Sequence, residues 1–522
     1  MRWLLLVEAT HYGRVLDDTG DLSTRRGGSL LLLHVVDRIA GDMPDAVVLS
    51  RGASSLVLMF DVASDAEGEK RTRNVRRRLV ADDAVPKVPK REQVMALARH
   101  ATFSVAGGGW PAGETFHQTL LRLRNELHLA SLRAPTLAVT WGVGADACNR
   151  RDDEVVCARD HVRPASVDLE RTNRRRRTDP RFGVSDSVFE RRGYGLHEKQ
   201  RFYAEEYARR RIEPARLAMD PFASNLHEFE DPKADHRLRG KIAVLYLDGN
   251  RFSAIQEAVN KAGESQLQAF DGFVRERRFL LLDALLRLLE THEDSAIGTG
   301  DSEKPQAQGE FEAERFVKLE TLLWGGDELM WVFPASLGVE VARVVFAEAG
   351  IWRIDDYKLT HALGLVFCHN DAPIGRVQAL ARELAESTKR PEVELERQET
   401  ALAYAVMESF DFPPGGLATM PGRRALGAEA WRLTEPAWES LVEAGRALKD
   451  AGLPRRQLKE LARLAAVNAD TTPTRERLAD AYGALEDRLD AIEKQHGAAG
   501  WLHLDQLWDY LPAPTSPAGR RR

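Results

Sequence analysis

The amino-acid sequence predicts an α+β fold in which one unit of strands and helices occurs twice and is followed by a helical region. The order strand, helix, apolar hairpin, strand and helix recurs in two separate stretches of the chain. A charged, arginine-rich stretch separates them, and leucines at helical spacing follow the second. We therefore expect five segments: a first unit at 1–136, a connector at 137–239, a second unit at 240–392, a helical C-terminal domain at 393–511 and a disordered tail at 512–522.

The first unit begins with an apolar strand and continues into a helix and a hairpin. The turn of that hairpin, Arg51-Gly52-Ala53-Ser54, contains no acid. A charged loop is expected after the hairpin. The predicted elements are a strand at 3–7, a helix at 29–39, hairpin strands at 46–49 and 56–60, a strand at 102–106 and a helix at 114–129.

The second unit repeats this order around a different turn. Its first strand ends in Asp248, and its hairpin turn reads Gly325-Gly326-Asp327-Glu328. A mobile loop is expected at 293–308, where Ser, Gly, Glu and Gln predominate. The predicted elements are a strand from 241, a helix at 265–290, the hairpin, a helix at 337–349, a strand at 361–367 and a helix at 374–386.

Composition bounds the class of protein. The chain has 522 residues, 43% of them hydrophobic, and a formal net charge of -6, so sizeable cores are expected and overall attraction to polyanions is not. Arginine runs at 76–78, 174–177 and 520–522 fit either solvated loops or local nucleic-acid patches. Three cysteines argue against a disulfide framework and for the cytoplasm. No apolar run approaches the roughly 20 residues that cross a bilayer.

The Gly-Gly-Asp-Glu turn is the strongest candidate site. If the strand ending at Asp248 lies beside the hairpin, Asp248 faces Asp327 and Glu328. Mg²⁺ prefers oxygen ligands and is usually held by one or two carboxylates and substrate phosphates, so these acids are candidate ligands for two Mg²⁺ or Mn²⁺ ions. Gly325 and Gly326 would let a nucleotide approach the backbone. The alternative is an ordinary hairpin with solvated acids.

Two further groups carry weaker signals. Lys389 and Arg390 end the last helix of the second unit, where a cation can neutralise a triphosphate or simply complement the helix dipole. Cys148, Cys157 and His161 approach zinc-ligand spacing without a fourth ligand. Cys368, beside His369, is interpreted as a core cysteine before a turn. P-loop, HExxH, GxSxG and His-Asp nuclease motifs do not occur in the sequence.

The segment Tyr246-x-Asp248-Gly-Asn-x-Phe252-Ser253, together with Gly-Gly-Asp-Glu on a following hairpin, resembles the palm domain of GGDEF cyclases and of the large subunits of type III CRISPR effector complexes. In the first unit, Asp21-Leu22 and the run 28–31, Gly-Ser-Leu-Leu, resemble the degenerate first palm of those CRISPR subunits. The resemblance covers most of the chain. It implies two ferredoxin-like palm domains, the first degenerate and the second catalytic, before the helical domain.

The resemblance also implies a reaction and its residues. ATP would be joined into cyclic oligoadenylate in antiviral defence, with guide RNA, target RNA and other effector subunits as partners. Asp248, Asp327 and Glu328 would hold the metal ions. The implied nucleotide contacts are Gly249, Asn250, Ser253, Gly325, Gly326, Lys389 and Arg390.

The sequence departs from the family at three points. Glu328 replaces the usual second aspartate, the histidine-aspartate nuclease domain is missing, and the connector lacks a full four-cysteine set. Two rival functions remain open: a weakly active scaffold that binds RNA complexes, and a diguanylate-type cyclase. Against the latter, Gln256 stands where such cyclases carry a guanine-binding asparagine, and no Arg-x-x-Asp precedes the turn. We also expect the first unit to complete the nucleotide pocket from around 107–109 or Ser54.

Overall fold

The fold was analysed in a computed structural model. The structure describes residues 1–81, 89–136, 156–165, 167–168, 183–230, 236–299, 315–409, 412, 416–467, 469–482 and 485–511. The predicted tail at 512–522, most of the predicted loop at 293–308 and the arginine runs at 174–177 and 520–522 lie outside these ranges.

The first unit folds as a four-stranded antiparallel sheet with helices. Its elements are β1 (Arg2–Thr10), α1 (Gly13–Leu16), α2 (Leu22–Gly41), β2 (Val47–Arg51), β3 (Ser55–Asp61), α3 (Asp65–Leu79), α4 (Val94–Leu97), β4 (Thr102–Gly109) and α5 (Phe116–Arg133). The strand order is β2-β3-β1-β4. Asp21 caps α2 by accepting the Thr24 backbone N–H at 2.9 Å, which starts the helix one turn and more before the predicted residue 29.

The predicted charged loop after the first hairpin was wrong. Residues 65–79 form α3, which Ser64 caps and whose acids Asp65 and Glu67 lie in the first turn. The arginine run at 76–78 ends this helix, where positive charge complements the dipole. Arg76 also donates to the carbonyl oxygen of Val105 at 2.7 Å, so this run is part of a packed helix.

The connector contains more structure than its composition indicates. Its described elements are β5 (Val167–Asp168), β6 (Gly183–Val184) and α6 (Asp186–Ala208). Within this charged stretch, helical order begins at Asp186. Helix α6 packs along α2, and this contact buries one side of a helix whose sequence is rich in charged residues.

The second unit reproduces the topology of the first. Its elements are β7 (Lys241–Gly249), α7 (Phe252–Ala262), α8 (Glu264–Thr291), α9 (Glu293–Ala296), β8 (Ile297–Thr299), β9 (Arg315–Val317), β10 (Glu320–Trp324), β11 (Leu329–Pro334), α10 (Gly338–Gly350), β12 (Arg353–Ile354), β13 (Tyr357–Lys358), β14 (His361–His369) and α11 (Ile374–Glu386). Strands β10-β11-β7-β14 stand in the order of β2-β3-β1-β4. The predicted repetition of one unit is therefore visible in the two sheets.

The segment predicted to be a helical domain, 393–511, begins with a strand that extends the second sheet and continues with helices. Its elements are β15 (Ala401–Val406), α12 (Pro421–Leu426), β16 (Leu433–Thr434), α13 (Glu435–Asp450), α14 (Arg455–Ala466), α15 (Thr472–Ala481) and α16 (Glu486–Leu507). Strand β15 pairs in parallel with β14, and β16 follows it. The alanines of β15 favour helix on their own, but a fully apolar strand beside β14 buries its side chains on both faces.

The two units pack reciprocally. Helix α2 of the first unit contacts β10 at the edge of the second sheet, and α8 of the second unit contacts β2 at the edge of the first. Helix α6 packs against α2 at very short range, because Gly27 faces the Arg191 backbone and Gly195 faces the Ser23 backbone. Within the described residues, no helix is long and apolar enough to cross a membrane.

We expect Gly27→Ala to destabilise the protein by about 1–3 kcal/mol. A Cβ at Gly27 would lie 1.8 Å from the Arg191 carbonyl oxygen, which is backbone and can yield only if α2 and α6 separate. Gly41→Ala, in the same helix, is the matched control because nothing lies within 4 Å of its Cβ position. Denaturant unfolding of both variants measures the difference, and equal stabilities would contradict the close packing.

Candidate functional site

The Gly-Gly-Asp-Glu turn lies beside the end of β7, as the sequence predicts. Strand β11 pairs with β7 so that Leu329 lies opposite Leu247, and the next pair outward in this register is Glu328 and Asp248. The turn is closed by the Gly325 N–H, which donates to the Glu328 carbonyl oxygen at 2.7 Å. Two adjacent strand ends thus bring Asp248, Asp327 and Glu328 to one edge of the sheet.

The two glycines of the turn serve different purposes. A Cβ at Gly325 would lie 2.8 Å from the Glu328 carbonyl oxygen, so glycine is needed there to close the hairpin. A Cβ at Gly326 would meet nothing within 4 Å. The predicted open approach to the backbone therefore exists at Gly326, whereas Gly325 is a structural requirement of the turn.

The carboxylates create a local excess of negative charge. Burial, together with the nearby carboxylates of Asp248 and Glu328, raises the pKa of Asp327 to about 7. The Lys389 ammonium opposes this rise. Burial is the largest cause of the rise, and the two neighbouring carboxylates add to it.

Lys389 supplies one compensating cation. Its Nζ donates to Asp248 Oδ2 at 2.6 Å and lies 2.7 Å from Glu386 Oε2. Burial opposes its charge, but the two hydrogen bonds raise the pKa of Lys389 above its usual value. Arg390 behaves differently, because its guanidinium pairs with Glu429, and the structure does not bring it into this group.

Glu328 is held by Tyr246, a residue of the palm-like segment that was not predicted to be part of the site. The Tyr246 hydroxyl donates to Glu328 Oε1 at 2.8 Å. Burial and the carboxylates of Glu328 and Asp248 raise the pKa of Tyr246, which keeps the phenol protonated as a donor. The Arg382 guanidinium lies 5.9 Å from the centre of the Tyr246 ring. Tyr246 could have been found from its i, i+2 spacing to Asp248, which puts both side chains on one face.

The first unit reaches this site through the segment after β1. Burial and the Glu328 carboxylate raise the pKa of Tyr12, which places Tyr12 within electrostatic reach of the turn. Asp17 of the same segment pairs with Arg382 at 3.4 Å. No motif in the sequence marked either residue, because each approaches the turn only through the packing of the two units.

The predicted contribution of 107–109 from the first unit is not supported. These glycines pair with residues 3–5 of β1, at the opposite end of that strand from Tyr12. Ser54 lies at the end nearer Tyr12, where its carbonyl oxygen accepts the Ala9 N–H at 2.8 Å. Of the two expected contributors, only Ser54 therefore lies at the end of the first sheet from which the chain continues to Tyr12.

Three residues after Asp248 differ in their surroundings. A Cβ at Gly249 would lie 2.2 Å from the Phe252 ring, so this glycine permits close packing. Asn250 is buried, and its side chain donates to Thr360 Oγ1 at 3.1 Å, which holds the loop. Ser253 is exposed in the first turn of α7, whose N-terminus has no side-chain cap. Only Ser253 is directed towards solvent and free to meet a ligand.

The zinc hypothesis receives no support from the described residues. Cys148 lies outside them. Cys157 is buried against Val184 and Val188, whereas the His161 side chain is exposed. Cys368 is a buried free cysteine, as expected for a core residue, and burial raises the pKa of its thiol to about 12.

The described residues also contain no group of three or more His, Cys, Asp or Glu side chains arranged to hold a metal ion. Asp248, Asp327 and Glu328 share an edge, but Glu328 is turned to Tyr246 and Asp248 to Lys389. A dedicated protein cage is thus absent there. Asp248 and Asp327 could still bind Mg²⁺ if the phosphate oxygens of a substrate completed its coordination, which is a common arrangement for this ion.

Comparison with solved structures identifies proteins of similar fold. No family model and no curated protein sequence matches the chain. Among solved structures, the apo Csm1–Csm4 cassette aligns over 98% of this chain and 70% of its own, with 12% identity and a TM-score of 0.51. The cassette in complex with one ATP has 13% identity and a TM-score of 0.52, and the alignment covers 98% of this chain and 70% of that one. The cassette in complex with pppApA has 12% identity and a TM-score of 0.51, with 98% of this chain and 69% of that one covered.

At these identities the likeness concerns the fold. The chain has the α+β fold of Csm1 from these cassettes, which confirms the predicted fold class and the structural side of the resemblance to type III CRISPR large subunits.

In metal-free solution, we expect Asp327→Asn to raise the melting temperature at about pH 8 and to leave it unchanged near pH 4. The folded pKa of Asp327 is about 7, whereas an unfolded aspartate has a pKa of ~3.9. The folded protein therefore retains a proton that the unfolded chain loses between these values, and stability falls as pH rises through that window. Asparagine resembles the protonated acid and removes this loss.

Thermal unfolding in chelator across the same pH range provides the measurement. Asp356→Asn, in the exposed turn between β12 and β13, serves as the control. A gain for Asp327→Asn that is constant with pH would contradict the electrostatic assignment.

Proposed function

We propose that this protein is a nucleotidyltransferase that joins ATP into cyclic oligoadenylate. The proposal is carried by the strand pairing that brings Asp248, Asp327 and Glu328 together at the ends of two adjacent strands; burial and the neighbouring carboxylates accordingly raise the pKa of Asp327. Perturbed carboxylates of this kind beside a cation and an open backbone position are typical of a functional site. Support for ATP as substrate comes from the fold, since similar cassettes were crystallised with ATP and with pppApA.

Asp248 and Asp327 would hold Mg²⁺ or Mn²⁺ together with substrate phosphate oxygens. When bound, the metal would supply charge stabilisation at the phosphates and a more acidic attacking hydroxyl. The donor set fits, because it consists of carboxylate oxygens at the ends of two adjacent strands, the ligand type that Mg²⁺ prefers.

The residues of this chain would orient the nucleotides. In the proposed reaction, a 3′-hydroxyl oxygen forms a bond to the α-phosphorus of a second ATP, the bond from that phosphorus to the bridging oxygen breaks, and pyrophosphate leaves. Lys389 would turn from Asp248 to a phosphate oxygen. The first turn of α7, with Ser253, has no side-chain cap, so its backbone N–H groups would be available to a phosphate, and Gly326 leaves room for the nucleotide.

Tyr12 and Arg382 support a pocket shared by both units. Glu328 helps to raise the pKa of Tyr12 of the first unit, and Arg382 pairs with Asp17 of the first unit and lies beside the Tyr246 ring of the second. Two nucleotides must meet for one to attack the other. A site between the units would position the second ATP.

We further propose a place in a type III CRISPR complex in the cytoplasm, with a Csm4-like subunit, guide RNA and target RNA as partners. The basis is the fold shared with the Csm1–Csm4 cassettes. A weakly active scaffold is the second candidate. It is favoured by the Lys389–Asp248 ion pair, which already neutralises one of the two acids.

Incubation of the protein with ATP or GTP and Mn²⁺, followed by mass spectrometry, tests the proposal. We expect cyclic adenylate products from ATP and loss of turnover by at least about 100-fold in Asp327→Ala, the scale expected for an electrostatic contributor. Asp356→Ala controls for removing an exposed aspartate. If target RNA and partner subunits also fail to elicit a cyclic product, the scaffold function is favoured; a guanylate product would indicate the diguanylate-type cyclase.

We expect Glu328→Gln to lower turnover less than Asp327→Asn does. One Glu328 oxygen is occupied by the Tyr246 hydroxyl, so this residue has less capacity to bind metal than Asp327. Initial rates at several Mn²⁺ concentrations measure both variants, and their circular dichroism spectra verify folding. Equal losses in rate and in apparent Mn²⁺ affinity would show instead that Glu328 is a full ligand.

A further inference from the structure

A second concave site lies away from the Gly-Gly-Asp-Glu turn, beside the turn of the first hairpin. It is a half-open cavity of ≈ 500 Å³ between α2, α6, α8 and the end of β2. This volume falls in the range of about 300–1,000 Å³ typical of small-ligand sites. Its position is notable because Arg51 and Gly52 of the acid-free turn form part of the wall.

The wall of this arginine cavity carries more positive than negative charge. Its acidic members are Asp37, Glu206 and Glu276. The basic members are Arg51, Arg91, Arg209, Arg210, Arg275 and Arg278. Asp37 pairs with Arg51 at 3.1 Å, Arg91 at 3.2 Å and Arg209 at 2.7 Å. Arg91 also pairs with Glu205, Arg209 with Glu206 and Arg275 with Asp271, so several of the wall arginines are partly neutralised.

Arg278 provides a second, independent observation. The residue is 4% exposed, and within the described part of the chain its Nε and Nη1 have no hydrogen-bond partner. Its guanidinium lies 4.6 Å from the centre of the Trp324 ring. Burial and neighbouring arginines such as Arg210 lower the pKa of Arg278 to about 10, although Glu206 opposes this shift. A buried charge with unused donors is costly unless an anion or water accepts from it.

The chemistry of the wall favours phosphate groups over a nucleobase. Guanidinium groups match phosphate oxygens in paired hydrogen bonds. The cavity wall includes no aromatic side chain on which a base could stack. Walls on several sides suit a compact anion better than a long nucleic-acid strand, which needs an open groove.

We propose that the arginine cavity binds an oligophosphate anion, either a free di- or triphosphate or the phosphate tail of a nucleotide. Arg51 and Arg275 provide accessible donors at the mouth, with side chains 24% and 30% exposed. Arg278 provides the buried donor. Arg278 contacts the buried ring of Trp324, the residue before Gly325, so one side chain connects the cavity wall with the strand that leads into the turn. This inference does not rest on the proposed catalytic function.

Calorimetric titration of the full chain with tripolyphosphate in chelator tests the proposal. We expect Arg51→Gln/Arg275→Gln to weaken binding by at least about tenfold, since two charge-assisted hydrogen bonds are lost. Both carboxylates that lose a partner keep others, because Asp37 retains Arg91 and Arg209 while Asp271 retains the Arg51 N–H at 2.8 Å. Titrations with pyrophosphate and ATP then distinguish a free anion from a nucleotide tail.

The matched control is Arg73→Gln/Arg287→Gln, which removes the same charge from exposed helix positions. Arg287 lies on α8 and pairs with the aspartate four residues before it, as Arg275 does. Binding should stay within about twofold of wild type in this control.

Three outcomes would overturn the proposal. The first is equal affinity of the cavity variant and wild type when circular dichroism shows both folded. The second is no binding of any of the three probes by wild type, and the third is an equal loss of affinity in Arg73→Gln/Arg287→Gln. Binding of a short single-stranded RNA, without binding of the three small probes, would also contradict the proposal and would indicate that the cavity binds nucleic acid.

Discussion

The arrangement of the whole chain depends on one buried ion cluster, in which Glu320 accepts from Arg26 and Lys199. Arg26 Nε lies 2.6 Å from Glu320 Oε1 and Lys199 Nζ lies 2.6 Å from Oε2, and all three side chains are at most 3% exposed. The cluster joins α2 of the first unit, α6 of the connector and β10 of the second. Burial opposes the charge of Glu320, but the two cations hold its pKa below the usual value. Removing one member of such a cluster leaves a buried charge uncompensated, at a cost of about 3–5 kcal/mol.

This cluster also controls the geometry of the candidate site. Glu320 begins β10, and the other end of that strand leads into the Gly-Gly-Asp-Glu turn. Arg26 lies on α2, which follows the segment carrying Tyr12 and Asp17. The ion cluster therefore constrains both halves of the proposed pocket, and the close approach of α2 and α6 at Gly27 and Gly195 fixes their spacing. Rigid support of this kind lets a turn hold carboxylates that repel one another.

The two units have diverged at equivalent positions of one topology. Val7 pairs with Leu56 as Leu247 pairs with Leu329, so Glu8 is the counterpart of Asp248, and Ser54 and Ser55 are the counterparts of Asp327 and Glu328. The first unit thus retains a strand acid and has hydroxyls in place of the turn acids. Burial raises the pKa of Glu8, while Arg124 and His128 oppose the rise. Positive charge gathers beside the first turn in the arginine cavity, and negative charge gathers at the second.

The sequence by itself determined the two units, the hairpin turn and the neighbouring positions of Asp248 and Asp327. Those features follow from period-2 and helical patterns and from local turn chemistry, which are properties of short segments. Local patterns also misassigned β15 as helix and α3 as loop, because pairing with β14 and packing against β4 decided those segments. Only the tertiary structure decided that Tyr12 and Arg382 join the site, that Arg390 does not, and that six arginines line one cavity. Each of these depends on contacts between distant segments, which no local spacing encodes.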